Sequence, residues 1–370
     1  MTELQVLKTE ELTISMGPQH PSTHGVLRLI LRVDGEYIRD VKPDLGYLHR
    51  GMEKMAEERT YLQFLPLTDR FDYLSAMFNN MVYVRAVEKL GGVEVPERAE
   101  YIRVMMMELN RIASHLIFWG TFGLDLGALT PVLYAFRERE KVLDLLEMVS
   151  GARMTFNYIR FGGVRADLPS GFIEKLKAFL DDFPHRVDDY DALLTGNDIF
   201  KMRTIGVGPL SAEKAVEIGV TGPMLRASGV PFDIRRAEPY SVYERFDFKI
   251  PTRADGDTFD RYVIRMEEMR QCVRILRQAM EQIPEGDVQT KVSRALKLPA
   301  GDVYTRIESP RGELGVYLVS DGGGNPYRFK LRAPSFINLQ AIKPLAVGMK
   351  VGDLIAILGS IDIVLGEVDR

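Results

Sequence analysis

The stretch PERAEYIRVMMMELNRIASHL, residues 96–116, decides the fold, because its apolar side chains recur at the spacing of one helix face. Pro96 suits the start of this helix, where a missing N–H costs no hydrogen bond. The apolar positions are Ile102, Met105, Met106, Leu109, Ile112 and Leu116. Such a stripe must pack against other helices, and its methionines are typical of a core rather than of a cofactor site.

Further helices are predicted on both sides of this stretch, and together they indicate a helical bundle. Glycine pairs, prolines and small polar caps set their ends. The predicted ranges are 71–90, 130–151, 170–183 and 257–283, with a short helix at 211–218.

Strand patterns stand at both ends of the chain. Residues 26–33 alternate apolar and polar side chains, and Asp34-Gly35 then predicts a hairpin turn into a return strand at 36–42. Near the other end, strands are predicted at 302–308, 314–320 and 327–331. The glycine run 321–326 indicates a hairpin turn rather than a phosphate-binding loop, because no helix follows it.

These patterns predict an α+β fold, with a central helical bundle between an N-terminal and a C-terminal antiparallel β region. The predicted regions are an N-terminal β region at 1–45, a helical bundle at 46–297 with a Gly- and Pro-rich insertion at 196–255, and a C-terminal β hairpin and helix at 298–370.

Composition excludes several classes of protein. The chain is 46% apolar and 27% charged, which is typical of a globular protein. Its net charge of −4 does not suit a nucleic-acid-binding protein. The single cysteine, Cys272, excludes an internal disulfide and an iron–sulfur cluster held by this chain alone, and we expect its side chain to be buried.

Residues 116–136 are apolar over a length that could cross a bilayer. Three glycines, Pro131 and the carboxylate of Asp125 interrupt them, so we predict a helix end, an apolar loop and a new helix instead. The first residues carry several charges and no apolar stretch of signal-peptide length. That predicts a chain of the prokaryotic cytoplasm, or a mature or organelle-encoded one.

The loop GPQHPSTHG, residues 17–25, holds the first candidate site residues. Two histidines four apart could bind zinc on a helix, but Pro21 stands between them and no third ligand is near. One of them, His20, is expected to bond the loop to itself. The other, His24, could present its imidazole to a cleft, and the residues alone do not decide.

The segment TDRFDY, residues 68–73, is the second candidate. Asp69 and Asp72 suit the N-terminus of a helix, which leaves Arg70 and Tyr73 unexplained. The third candidate is Asp125, whose apolar neighbours should raise its pKa unless it is paired. Such a carboxylate is either a functional group or a structural partner of an arginine or a backbone N–H.

From about residue 11 to 370 the sequence resembles the D subunit family of respiratory NADH:quinone oxidoreductase, or complex I. Seven motifs carry the resemblance: GPQHPSTHG at 17–25, LHRG at 48–51, DRFDY at 69–73, LDLGA at 124–128, GARM at 151–154, GVYLVSDG at 315–322 and GEVDR at 366–370. The family in turn resembles the large subunit of nickel–iron hydrogenases, which implies that fold.

Hydrogenase large subunits hold their metals with two pairs of cysteines. The corresponding positions in this chain are Asp72, Ser75, Val364 and Glu367. All four thiolates are absent, and a soft-metal site without thiolates does not hold nickel and iron. No metal site and no hydrogenase activity are therefore expected.

The resemblance implies a quinone site between this chain and a B subunit that carries the terminal iron–sulfur cluster. His24 and Tyr73 would donate hydrogen bonds to the quinone head group, and Asp125 would pair with His24. Arg50 and Arg70 would lie beside the partner's cluster, although an ion pair of Arg50 with Glu53 or Glu57 is the alternative.

The family pattern is broken at Thr155. Many relatives have a histidine there, near the cluster, and a threonine cannot titrate in the working range. The cluster's midpoint potential should therefore depend less on pH in this protein.

The resemblance further implies a hetero-oligomer with the B, C and I subunits and a membrane H subunit. The assembly would lie peripherally on the cytoplasmic face of a bacterial or archaeal cell membrane. No cofactor is expected on this chain alone, which should be inactive without its partners. Two alternatives stay open: the same role with a deazaflavin, ferredoxin or formate electron donor, and a non-catalytic scaffold.

Overall fold

The computed structural model describes residues 11–18 and 25–370. Its longest helices form one bundle, and they confirm the predicted α+β class. The helices of the first half are α1 Met52–Glu57, α2 Tyr61–Thr68, α3 Ala76–Gly91, α4 Glu97–Asp125, α5 Thr130–Ser150 and α6 Phe172–Tyr190. Those of the second half are α7 Asp198–Thr204, α8 Ala212–Ile218, α9 Pro223–Ala227, α10 Ile234–Ala237, α11 Thr258–Gln282, α12 Pro334–Leu339, α13 Ile342–Ala346, α14 Val351–Ile361 and α15 Leu365–Asp369.

The central helix α4 is longer than its apolar stripe predicted. It continues without a break to Asp125, and a turn of four residues leads into α5. Close packing of α4 against α5 explains two of the glycines there, since a Cβ on Gly120 would lie 2.9 Å from the Cβ of Ala135. No helix in the described ranges is long and apolar enough to cross a membrane.

The N-terminal strands form a three-stranded antiparallel sheet. Its members are β1 Glu11–Met16, β2 Arg28–Asp34 and β3 Tyr37–Asp44, in the order β1-β2-β3. Leu29, Leu31 and Val33 are buried, as their alternation predicted. They pack in a second core with α13 and α14, and the amide of Gly348 donates to the carbonyl of Ile38 at 2.9 Å.

The C-terminal sheet joins the main core of the bundle. A two-stranded hairpin, β4 Ile159–Arg160 with β5 Gly163–Val164, precedes it in the chain, and its own strands are β6 Gly301–Ser309, β7 Gly312–Ser320 and β8 Arg328–Arg332. The glycine run lies between β7 and β8, which confirms the predicted hairpin turn. Each core draws residues from both halves of the chain, and the regions 1–45, 46–297 and 298–370 stay a prediction.

Several predicted boundaries are wrong by a few residues. Helix α3 begins at Ala76 rather than 71, because the residues before it form a turn around a carboxylate. Helix α6 runs seven residues past the predicted end and carries Pro184 inside it. Helices α8 and α11 begin after Ser211 and Asp257, whose side chains cap them, and Cys272 is buried in α11 as expected.

Candidate functional site

A turn between α2 and α3 carries Tyr73. The carboxylate of Asp72 accepts hydrogen bonds from the amides of Leu74 at 3.0 Å and Ser75 at 3.3 Å, and also from the Ser75 hydroxyl. These bonds compete with the helical pattern and delay the start of α3. They also leave the side chain of Tyr73 at the surface of the turn, directly beside a buried carboxylate.

A buried arginine from the other end of the chain meets this turn. Arg311 lies between β6 and β7, and its Nη1 is 2.6 Å from the carboxylate of Asp72 and 3.2 Å from the hydroxyl of Ser114. Its Nη2 is 3.6 Å from the carboxylate of Asp362, just after α14. A guanidinium offers five donors in a fixed fork, so it can join three elements at once.

Glu367, on α15, completes the group. Its carboxylate accepts the amide of Ser335 at 3.0 Å. Burial, together with the negative charge of Asp72, raises the pKa of Glu367 to about 7. We call Asp72, Ser114, Arg311, Asp362 and Glu367 the Arg311 cluster. Glu367 therefore holds a proton more readily than an ordinary glutamate, because burial and the neighbouring carboxylate of Asp72 both disfavour its ionised form.

The Arg311 cluster contains two of the four positions that the sequence resemblance aligns with the metal-binding cysteines of hydrogenases. That alignment, which stays a prediction, sets Asp72 and Ser75 at the first cysteine pair and Val364 and Glu367 at the second. The Val364 amide donates to the hydroxyl of Ser335, whose own amide bonds Glu367, so both parts of the second pair lie together. These donors are carboxylate, hydroxyl and guanidinium groups, which do not suit nickel and iron.

Tyr73 is the part of this site that reaches the surface. Its side chain is 48% exposed, whereas Asp72 is buried. Partial burial and the charge of Asp72 raise the pKa of Tyr73, while Arg311 opposes that effect. The phenol therefore keeps its proton at neutral pH and can donate a hydrogen bond to a bound molecule.

Arg50 and Arg70, the two arginines predicted to lie beside the partner's cluster, contact each other at the Tyr73 turn. Arg50 donates through Nη2 to the carbonyls of Arg70 at 2.7 Å and Gly366 at 3.3 Å, and Arg70 donates to the carbonyl of Pro66. The alternative ion pair of Arg50 is wrong, because Lys330 pairs with Glu53 at 3.0 Å and Arg328 pairs with Glu57 at 2.8 Å. Arg50 instead holds the Tyr73 turn to α15.

The last residues of the chain are bonded into the loop that carries Arg50. The carboxylate of Asp369 accepts the amides of Gly46 at 3.0 Å and Leu48 at 2.7 Å. A ring nitrogen of His49 bonds the carbonyl of Asp369 at 2.7 Å. These contacts give the GEVDR motif a structural role.

Asp125 is the last residue of α4, as the predicted helix end implied. Its carboxylate packs on α14, where a Cβ at Gly359 would lie 3.2 Å from it. Gly359 precedes Asp362 by three residues, about 5 Å along a helix. Asp125 therefore lies against the helix that leads directly into Asp362 of the Arg311 cluster.

His20 and His24 lie outside the described residues. Gly25, the next described residue along the chain, packs beside α15, since a Cβ placed on it would lie 3.5 Å from Leu365. The roles of both histidines therefore stay predictions.

The capping interpretation of Asp69 is wrong. Asp69 follows the C-terminus of α2, is buried, and accepts the amide of Asn157 at 2.9 Å. Burial raises the pKa of Asp69 to about 7.

Sequence reasoning also missed Arg311 and Asp362. A charged residue directly after Ser309-Pro310, between two predicted strands, was the available signal for Arg311.

Comparisons with known proteins show the family to which the chain belongs. The family described as "Respiratory-chain NADH dehydrogenase, 49 Kd subunit" matches residues 125–296 and 290–370. A protein of Dehalococcoides mccartyi, described as the D subunit of NADH-quinone oxidoreductase, is 59% identical over 98% of this chain and 100% of its own. Proteins with the same description from Clostridium beijerinckii and Geobacillus kaustophilus are each 56% identical over 98% of this chain and 98% and 100% of their own.

These matches first define a class of proteins that are parts of hetero-oligomeric assemblies, the respiratory NADH–quinone oxidoreductases. Within that class, the chain belongs to the 49 Kd family, whose similar bacterial members carry the D subunit description.

Proposed function

We propose that this chain forms one wall of a quinone-binding site and helps electrons pass from an iron–sulfur cluster on a B subunit to the quinone. The observation that carries the proposal is the position of Tyr73. Its half-exposed phenol stands on a turn that a buried ionic cluster holds rigid. A rigid donor at a surface suits a ligand that presents carbonyl acceptors, and a quinone presents two.

The residue types fit the reduction of a quinone, which takes up two electrons and two protons. Tyr73 would donate a hydrogen bond and then a proton to one carbonyl, and His24 would serve the other carbonyl. Asp125 would stabilise the imidazolium of His24 and be left negative after the transfer. That change of charge would signal to the membrane part of the assembly.

Arg50 and Arg70 would act on the partner's cluster. Both lie on the Tyr73 side of the Arg311 cluster, and their positive charges would favour the reduced form of a nearby iron–sulfur cluster. The electron donor and the quinone would then meet at the same turn.

The assembly would contain the B, C and I subunits and a membrane H subunit, and this chain would be inactive without them. It would lie peripherally on the cytoplasmic face of the cell membrane. The names of its relatives favour NADH as the electron donor over deazaflavin, ferredoxin or formate.

The testing experiment is quinone reduction by membranes that carry Tyr73→Phe. Phenylalanine keeps the ring and removes one donor, and a lost transition-state donor costs about 10²-fold or more in rate. We expect NADH:quinone activity to fall by that order, while NADH:ferricyanide activity, which reports assembly and electron input, stays unchanged.

Tyr327→Phe is the matched control, because Tyr327 is an exposed tyrosine away from the Arg311 cluster. It should leave both activities intact. Unchanged quinone reduction in Tyr73→Phe would overturn the proposed site and favour the scaffold alternative.

A further inference from the structure

A basic groove lies away from the Arg311 cluster, where the β4–β5 hairpin meets residues 289–294. It encloses about 570 Å³. Its charged lining consists of Arg160, Arg165, Lys291 and Arg294. No carboxylate lines it in the described part of the chain. We call these four residues and the space between them the basic groove.

The basic groove differs from most of the charged surface of this protein. Many exposed arginines elsewhere pair with acids, as Arg153 does with Asp144 at 3.0 Å and Arg328 does with Glu57 at 2.8 Å. Within the basic groove, like charges stand together instead, and burial together with the charge of Arg165 lowers the pKa of Arg160. The Nε of Arg160 is buried and has no acceptor among the described residues.

Backbone contacts make the basic groove rigid. The amide of Val164 donates to the carbonyl of Val288 at 2.9 Å, and the amide of Thr290 donates to the carbonyl of Gly162 at 2.8 Å. A Cβ at Gly163 would lie 2.1 Å from the Val288 carbonyl, so only glycine allows this approach. The backbones that carry the cations are therefore fixed, and a ligand would have to order only the exposed side chains.

The supports of the hairpin are themselves buried. Arg103 donates to the carbonyls of Arg160 at 2.8 Å and Gly163 at 3.0 Å, and the carboxylate of Glu88 accepts the amide of Gly162 at 2.7 Å. Half-buried Leu62 and buried Phe161 give the groove an apolar floor. Charge around an apolar floor suits a peptide chain better than a lone inorganic anion.

We propose that the basic groove binds an acidic segment of a partner protein in the assembled complex. Four cations spread over two chain segments match several carboxylates in a row, and the volume admits several side chains. The proposal rests on the hetero-oligomeric nature of the family and not on the quinone site, so each can fail without the other.

The test uses the assembled complex and a carbodiimide, which joins an amine directly to a carboxylate that it touches. We expect mass spectrometry to find Lys291 linked to an aspartate or glutamate of another chain in the complex. The internal ion pairs Lys330–Glu53 at 3.0 Å and Lys141–Asp182 at 2.8 Å should link in the same sample and prove that the reagent works. Lys291→Arg keeps the charge and should remove only its own link.

A second measurement is charge reversal, with Arg165→Glu and Arg294→Glu together. We expect the linked partner to dissociate at lower salt, with roughly tenfold weaker retention, the loss expected for 1.4 kcal/mol of interaction. Lys249→Glu, which reverses an exposed charge elsewhere, should not change retention. The proposal is overturned if the internal pairs link but Lys291 links only within its own chain or not at all. It is equally overturned if the double variant retains every partner at all salt concentrations.

Discussion

At the scale of single residues, Arg311 explains how the elements around the Tyr73 turn are held together. Its guanidinium is buried and contacts Asp72, Ser114 and Asp362 from three separate elements. Removing one partner from a buried charge group typically costs about 3–5 kcal/mol, since the remaining charges are left unpaired. The Tyr73 turn is therefore positioned by an interaction whose loss would strongly destabilise the fold.

Asp69 predicts a pH dependence of stability. Its pKa is about 7 in the folded chain and 3.8 as an ordinary aspartate, so the folded state binds more protons between those values. Stability should fall as pH rises through that window, by on the order of 4 kcal/mol at 1.36 kcal/mol per pKa unit. Asp69→Asn removes the titration, so its advantage over the wild type should grow from pH 5 to pH 8.

Thermal unfolding of the purified complex between pH 5 and pH 8 measures this difference. Asp287→Asn, at an exposed position, is the matched control and should follow the wild type. A constant difference between Asp69→Asn and the wild type across the range would show that Asp69 is ionised throughout.

Helix α15 determines the site at the scale of elements. Gly366 lies against the Tyr73 turn so closely that a Cβ would stand 2.9 Å from the carbonyl of Phe71 and 3.4 Å from a guanidinium nitrogen of Arg50. The carbonyl of Gly366 also accepts a bond from Arg50. A short helix thus sets the position of the turn through a backbone contact.

Gly366→Ala should therefore displace the Tyr73 turn. Overpacking of this kind costs about 1–3 kcal/mol, and we expect lower quinone reduction together with a lower unfolding temperature. Gly352→Ala in α14 is the matched control, because the atom nearest to its new Cβ is 4.0 Å away. Wild-type activity in Gly366→Ala would show that the turn tolerates the displacement.

At the scale of the whole molecule, the two ends of the chain meet at the site. The N-terminal sheet shares a core with α13 and α14, and the last residues bond to the loop at 46–52. Tyr73, Arg311 and Glu367 can only come together when both cores are formed. We therefore expect the site to form only when the whole chain has folded.

Thr155 bears on a property of the assembly as a whole, the redox potential of the iron–sulfur cluster that we propose on the B subunit. We expect the midpoint potential to change with pH by well under the about 59 mV per unit of a one-proton, one-electron couple. Thr155→His should steepen the slope. The backbone favours the change, since Thr155 has a φ of 53°, which histidine adopts more readily than a β-branched residue.

A redox titration followed by electron paramagnetic resonance measures both slopes on the same membranes. NADH:ferricyanide activity again controls for assembly. A full slope in the wild type would contradict the proposal that residue 155 provides the titrating group.

The sequence by itself determined the local structure and the exclusions. Apolar spacing located α4 and α11, alternation located β2, and Asp34-Gly35 located its hairpin, because each signal lies within a few neighbouring residues. The lack of thiolates at four positions predicts, on ligand chemistry alone, that the chain does not hold nickel and iron.

Only the tertiary structure decided how the site is built. Arg311 reaches Asp72 across 239 positions and Asp369 reaches Leu48 across 321, and no local pattern records such pairs. The same reason explains the errors at Asp69 and at the start of α3. Their carboxylates bond to distant or non-helical groups, and those partners outweigh the helix-capping preference that their own neighbours express.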